Sequence, residues 1–307
     1  MLQLIKPDVN IDFVGNRRYA YIFSGVLTVL CLLAMAILGP RYGIDFVGGT
    51  LLHIRFHDPV EVSAVRNALG NVAGEASVQD FGTTKGEYLL RIPESAADLS
   101  GLGEKIKKEL DATFGATSYE VLRNETVGPR VGKELRQKAL LAVLFSTLMM
   151  GSYIALRFEI RFGVGAAVAL LHDVIVAAGA LVIANYEFDL TIVAALLTIV
   201  GFSVHDTVIV SDRIRENMRK SRRLPLATII NQSINETLSR TVLTTGTAIL
   251  VILALYLLGG SVIHGFAFTL LVGFLIGTYS SIFVASPIVL AFERSKSAAP
   301  RAQRAAS

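Results

Sequence analysis

Six runs of apolar residues, each about the 20 residues that a helix needs to cross a bilayer, constrain this chain more than any other feature. They cover Tyr19–Leu38, Lys138–Leu156, Phe162–Ala184, Leu190–Ser211, Val242–Leu258 and His264–Phe292. A mean hydropathy of +0.56 with 52% hydrophobic residues lies outside the usual range of soluble domains. The spans therefore predict an α-helical membrane protein with six transmembrane helices. The last run exceeds what a span requires, so it tilts or effectively ends near Pro287. Ala34-Met35-Ala36 imitates a signal-cleavage pattern, but the apolar core around it is too long and five more spans follow. An uncleaved first anchor is the expectation.

Basic residues orient the spans. Lys6, Arg17 and Arg18 precede the first span, and Arg157 and Arg161 lie between the second and third. Arg213, Arg215, Arg219, Lys220, Arg222 and Arg223 follow the fourth, and Arg294, Lys296, Arg301 and Arg304 follow the sixth. The opposite short connectors, Asn185–Asp189 and Gly259–Ile263, carry no basic residue. The positive-inside rule then places both termini in the cytoplasm. In this arrangement the net charge of +4 reports basic cytoplasmic segments, and no nucleic-acid partner is expected.

The same topology exports residues 39–137, which hold 12 basic and 14 acidic side chains, a mixture suited to a solvated fold. The pattern predicts strands at Thr50–His57, Ala76–Phe81, Glu87–Ile92 and Thr117–Val127, with helices at Pro59–Leu69 and Ala96–Phe114. In the first strand Leu52, Ile54 and Phe56 alternate with His53, Arg55 and His57. In the second helix Leu99, Leu102, Ile106, Leu110 and Phe114 recur at helical spacing. The order βαββαβ is that of an external α+β, ferredoxin-like domain between helices one and two. The chain thus divides into a cytoplasmic segment 1–18, a first helix 19–38, the domain 39–137, a five-helix part 138–292 with a cytoplasmic loop 212–240, and a tail 293–307. In that loop Leu226, Ile229, Ile230, Ile234 and Leu238 form an amphipathic pattern, expected to lie along the membrane surface.

Asp206 is the costly residue. It lies about 9 Å inside the cytoplasmic end of the fourth span, where a carboxylate facing hydrocarbon costs roughly 3 kcal/mol or more. Such groups face a partner or a hydrated cavity and often serve proton or ion movement. Ser203, Thr207 and Val210 share its helical face, while His205 points about 100° away. Arg240 opens the fifth span beside Ser239, Thr241, Thr244 and Thr245, at a matching depth by topology. It either holds the Asp206 carboxylate or serves as an ordinary basic anchor. His172 and Asp173 lie about 15 Å into the third span and suit supporting roles, as interhelical pairs or a proton path. Gly273, Gly277 and Ser281 form a small-residue row, as do Gly163, Gly165 and Ala169, and both signal close helix packing.

Cys31 is the single cysteine and the five histidines form no zinc pattern, so neither a disulfide within the chain nor a metal or organic cofactor is expected. H⁺ is the expected coupling ion, with Na⁺ as the alternative.

Tyr42-Gly43-Ile44-Asp45-Phe46-Val47-Gly48-Gly49-Thr50 directly follows the first span. It resembles the Gly-hydrophobic-Asp-Phe-x-Gly-Gly signature of the SecD and SecF translocation subunits. Val127-Gly128-Pro129-Arg130-Val131-Gly132 resembles their second signature, and Gly201 through Asn217 is similar to the SecF form of the fourth span. Asn235-Glu236-Thr237-Leu238-Ser239-Arg240-Thr241 and Tyr256-Leu257-Leu258-Gly259-Gly260 extend the resemblance to nearly all of the chain before Glu293. The resemblance implies the resistance-nodulation-division superfamily, a SecD partner, and association with the Sec channel (SecYEG) and its accessory membrane subunits. It further implies proton-driven movement of an unfolded preprotein across the bacterial inner membrane, without covalent catalysis. Asp206 and Arg240 match the family's transmembrane carboxylate and arginine. His205 departs from the asparagine frequent there.

Two other classes share some of these features. A proton-driven exporter of small molecules or lipids would share the superfamily logic. An intramembrane aspartyl protease would need Asp173 and Asp206 at one depth and a Gly-x-Gly-Asp pattern, which is absent.

Overall fold

The structure is a computed structural model that describes residues 10–58, 60–70, 77–80, 86–93, 102–221 and 223–292. Expectations at Lys6, Leu99, Arg222 and the tail 293–307 fall outside the described residues. Among the described residues, six helices are long and apolar enough to cross a membrane. They are α1 (Arg17–Ile37), α5 (Pro129–Arg157), α6 (Ile160–Ile183), α7 (Leu190–Lys220), α8 (Leu226–Leu258) and Ile263–Phe292, which contains most of α9 (Ser261–Ser280).

Their burial sorts them into two layers. Of the most apolar windows, about half is buried in α6 (56%), α7 (50%) and the last span (56%), against 17% in α1, α5 and α8. The first three form the inner layer. The outer three turn Leu30, Leu144, Met149, Leu250 and Val251 outward. A contiguous apolar surface of this kind is what acyl chains cover and water does not. Small residues let the inner helices approach closely. A Cβ on Gly277 would lie 3.1 Å from Ser203 Cβ, so α7 and α9 touch where the polar residues of both helices meet.

Helix boundaries correct several expectations. The interval 212–240 is not a loop: α7 continues to Lys220 and α8 starts at Leu226. The amphipathic stretch of α8 does not lie along a membrane surface. Leu226, Ile230 and Ile234 pack into a core with Phe162, Ile214 and Leu290. Their apolar face had a protein partner, which a hydrophobic pattern alone cannot distinguish from lipid. Arg213 and Asn217 staple the hairpin by donating to Glu236 at 2.5 and 2.7 Å. Pro287 does not end the last span. A π-helical segment, Ser281–Ala285, precedes it and the helix runs to Phe292. Proline lacks an N–H and crowds the carbonyl four residues back, and a wider turn relieves that crowding. Ser286 Oγ donates to the Ser281 carbonyl at 2.9 Å within the same turn.

Between α1 and α5 the chain forms β1 (Arg41–Tyr42), α2 (Ile44–Val47), β2 (Gly49–Phe56), α3 (Val62–Leu69), β3 (Ser77–Asp80), β4 (Glu87–Pro93), α4 (Leu102–Phe114) and β5 (Tyr119–Val127). Strands β2 to β5 make a four-stranded antiparallel sheet in the order β3-β4-β2-β5. Leu52, Ile54 and Phe56 face a core completed by Val65, Leu69, Ile106 and Leu110, as the alternation predicts. A separate two-residue strand, β6 (Glu187–Phe188), pairs in parallel with β1 just before α7.

Candidate functional site

The inner layer encloses two carboxylates in different surroundings. Asp173 on α6 is fully buried and well supplied. Its Oδ2 accepts from Ser203 Oγ of α7 at 2.7 Å and from Ser280 Oγ of α9 at 2.8 Å. Its Oδ1 lies 3.1 Å from His172 Nδ1. Three helices therefore converge on one satisfied group. Asp206 on α7 is equally buried, yet its Oδ1 has no hydrogen-bond partner among the described residues. Its Oδ2 meets only Thr245 Oγ1 of α8 and Thr278 Oγ1 of α9, each at 3.4 Å. Those two hydroxyls bond each other at 2.8 Å instead. Bonds of that length are weak, and a buried polar atom without a partner costs about 1–3 kcal/mol. Asp206 thus has accepting capacity that its neighbours leave unused.

The other expected residues fall around this pair. Ser203 and Thr207 are buried on the Asp206 face, with Thr207 Oγ1 2.8 Å from Ser281 Oγ at the start of the π segment. His172 Nε2 is buried without a hydrogen-bond partner among the described residues. His205 is exposed and points out of the bundle. Arg240 is also exposed, and no hydrogen bond or ion pair joins it to any described residue. Thr245, which touches Asp206, lies five residues further along α8, about 7–8 Å along the axis. Arg240 instead lines a cavity of ~730 Å³ at the end of the bundle opposite the sheet, with Tyr153, Arg157, Asp212, Glu216 and Glu236.

The connector motif joins the sheet to the helix that carries Asp206. Asp45 Oδ2 accepts the Leu190 N–H at the start of α7 at 2.9 Å, and Asp189 Oδ1 caps the Ile192 N–H at 2.9 Å. The Gly43 N–H donates to the Phe188 carbonyl at 2.7 Å, and Phe46 is buried. Gly48 has φ +89°, and a Cβ there would lie 2.8 Å from the Pro129 backbone. Only glycine allows α5 so close at that conformation. Gly49 then begins β2. Above this junction Arg91 of β4 forms an ion pair with Glu187 of β6. Burial pulls the Arg91 guanidinium below its ordinary value, and Asp189 and Asp45 oppose that pull.

Thr278, Ser280, Arg91 and Glu187 are missing from the residues that the sequence singles out. The run Thr278-Tyr279-Ser280-Ser281, four hydroxyls inside an apolar span, was the available signal for the first two.

Six apolar helices around a buried polar cluster, with a sheet fixed to one end, define a multi-pass membrane protein. The family model described as "Protein export membrane protein SecD/SecF, C-terminal" matches residues 105–295, and that of the "SecD/SecF GG Motif" matches residues 33–60. The protein translocase subunit SecF of Desulfurispirillum indicum is 45% identical over 288 residues, 91% of each chain. That of Magnetococcus marinus is 45% identical over 293 residues, 94% of each chain. The crystal structure of SecDF from Thermus thermophilus, titled a translocon-associated membrane protein, superposes with a TM-score of 0.81 at 40% identity. It covers 95% of this chain, while this chain spans only 40% of that one. The chain belongs to the SecF family of protein translocase subunits.

Proposed function

We propose that this chain works with a SecD-type partner as the proton-coupled half of a motor that draws preproteins through the Sec channel (SecYEG) and out across the bacterial inner membrane. The observation that carries this reading is Asp206: fully buried, with one oxygen unpartnered among the described residues and the other only weakly held. A proton taken up there alters the balance among α7, α8 and α9, whose hydroxyls surround it. Arg240 supplies the positive charge that favours the ionised state, from the cavity it lines with Asp212. The contrast with Asp173, whose bonds are complete, supports a structural role for that carboxylate.

The strand order β3-β4-β2-β5 supports reading the sheet as a ferredoxin-like domain. The positive-inside rule puts it on the outer side and both termini in the cytoplasm. The SecDF chain, more than twice the length of this one, supports a SecD-type partner. The outward row Ala194, Thr198, Gly201 and His205 on α7 is a small, partly polar face suited to packing against such a helix. No covalent catalysis and no cofactor beyond the coupling ion enter this scheme, and H⁺ is preferred over Na⁺.

The test is Asp206→Asn in vesicles that keep the partner and the channel. Loss of gradient-stimulated preprotein translocation, with normal copurification of the partner, supports the reading. Stimulation equal to that of the unaltered chain refutes it. Copurification of a second pump half or a periplasmic adaptor would instead favour the exporter of small molecules or lipids.

A further inference from the structure

The sheet is attached to the bundle covalently at one corner only. The chain enters at Gly49 and leaves at Val127, and these two residues are cross-strand partners. A rigid body held at one corner can rotate there, so force delivered at that point alone is lost as rotation. A second point of attachment on a neighbouring strand removes this freedom.

Arg91 supplies such a point. It stands on β4, the neighbour of β2, in register with Leu51. Its guanidinium pairs with Glu187, which lies three residues before Leu190 and the start of α7. Arg91 and Glu187 are about a quarter exposed, at 22% and 27%. The remaining charges around them complete the arrangement. Asp45, Asp189, His53 and Glu125 line a cavity of ~570 Å³ that Arg91 shares, and Arg41 and His264 line a smaller one beside it. Asp45 and Asp189, which cap the first turn of α7, both attract Arg91.

We propose that Arg91 is a positioning residue for translocation: it fastens the sheet to the outer end of the helix that carries Asp206, so that movement of α7 reaches the sheet as a displacement and not as idle rotation. The inference rests on the coupling role of Asp206 given above. It also requires that the Arg91–Glu187 contact hold through the cycle.

The test uses the full chain with a cysteine-free partner and channel in vesicles. Arg91→Ala lowers gradient-stimulated translocation about fivefold, a size expected for a lost coupling contact, and leaves partner copurification unchanged. Arg91→Lys retains most of the stimulation. In a Cys31→Ala background, Arg91→Cys with Glu187→Cys shows the same loss. Joining the two thiols with a short, reductively cleavable bis-thiosulfonate reagent restores stimulation, and reductant removes it again. Mere damage to the fold would not be reversed by a bridge. Undiminished stimulation in Arg91→Ala, or a bridged double-cysteine variant that stays idle, overturns the proposal. Asp206→Asn in the same vesicles separates the two readings. Full stimulation there sinks the coupling role itself, whereas loss there with full stimulation in Arg91→Ala sinks only the fastening.

Discussion

Asp45 accepts a hydrogen bond from the backbone N–H of Leu190, 145 residues further along the chain, at 2.9 Å. The acidic residue of the connector motif is therefore a cap for a distant helix. A carboxylate at that end also opposes the positive pole of the helix dipole. The motif thereby sets the boundary of α7 next to the sheet, and the interior of that helix holds Asp206.

Removing the cap should weaken this junction. Asp45→Ala is expected to cost about 1 kcal/mol, a typical value for a lost N-cap, and Asp45→Asn less because its amide oxygen still accepts. Denaturation midpoints of the purified protein, compared among the three chains, check the order.

Gly48 permits no substitution of similar size. Gly48→Ala places a methyl against Pro129 at a backbone conformation with φ +89°, for an expected cost of about 1–3 kcal/mol. Faster proteolysis between the sheet and α5 is the readout. Unchanged resistance would show that the junction can shift to admit a side chain.

The two buried carboxylates should respond differently. Asp173→Ala strands the Ser203 hydroxyl, at about 1–3 kcal/mol for an unpaired group, while Ser280 Oγ keeps the Gly277 carbonyl at 3.1 Å, and the change lowers the yield of folded protein. Asp206→Asn leaves the melting temperature nearly unchanged, since few good bonds are lost, and removes gradient dependence alone. Melting curves measured beside translocation rates separate the two. A collapse of stability in Asp206→Asn would contradict the contrast drawn from the geometry.

The segment before α1 offers a fourth test. Asn231 of α8 accepts from the N–H groups of Phe13 at 2.8 Å and Val14 at 3.2 Å, and donates to the Ile11 carbonyl at 3.0 Å. Asn235 accepts the Ile11 N–H at 2.8 Å. Asn231→Ala should speed amide exchange at Phe13 and Val14 by roughly tenfold, the equivalent of one lost hydrogen-bonded contact of about 1.4 kcal/mol. Exchange as slow as in the unaltered chain would assign the docking to the apolar contacts of Phe13 and Val14.

The six spans were legible because length and hydropathy are local properties. So was the inward face of β2, where Leu52, Ile54 and Phe56 alternate with polar neighbours. The burial of Asp206 and the shared face of Ser203 and Thr207 also followed from helical periodicity. What an apolar face packs against was not legible, so the first turns of α8 looked like a surface helix. The axial position of Arg240 relative to Asp206 depends on how α8 slides against α7, which no single-helix pattern encodes. Nor could the sequence pair Arg91 with Glu187, since sheet placement over a helix end is a tertiary outcome.

The wide turn at Ser281–Ala285 has a consequence for insertions and deletions. It holds about one residue more per turn than an α-helix, so a surplus residue rides in the final span without changing the angular phase between its two halves. Deleting one residue there would let an ordinary helix close with that phase kept, and Thr278 and Ser280 would still face Asp206 and Asp173. A one-residue insertion there finds no second wide turn and would rotate one half relative to the other by about 100°. The polar centre is thus keyed to a count of residues as well as to their kinds, and at this turn an added residue should harm it more than a missing one.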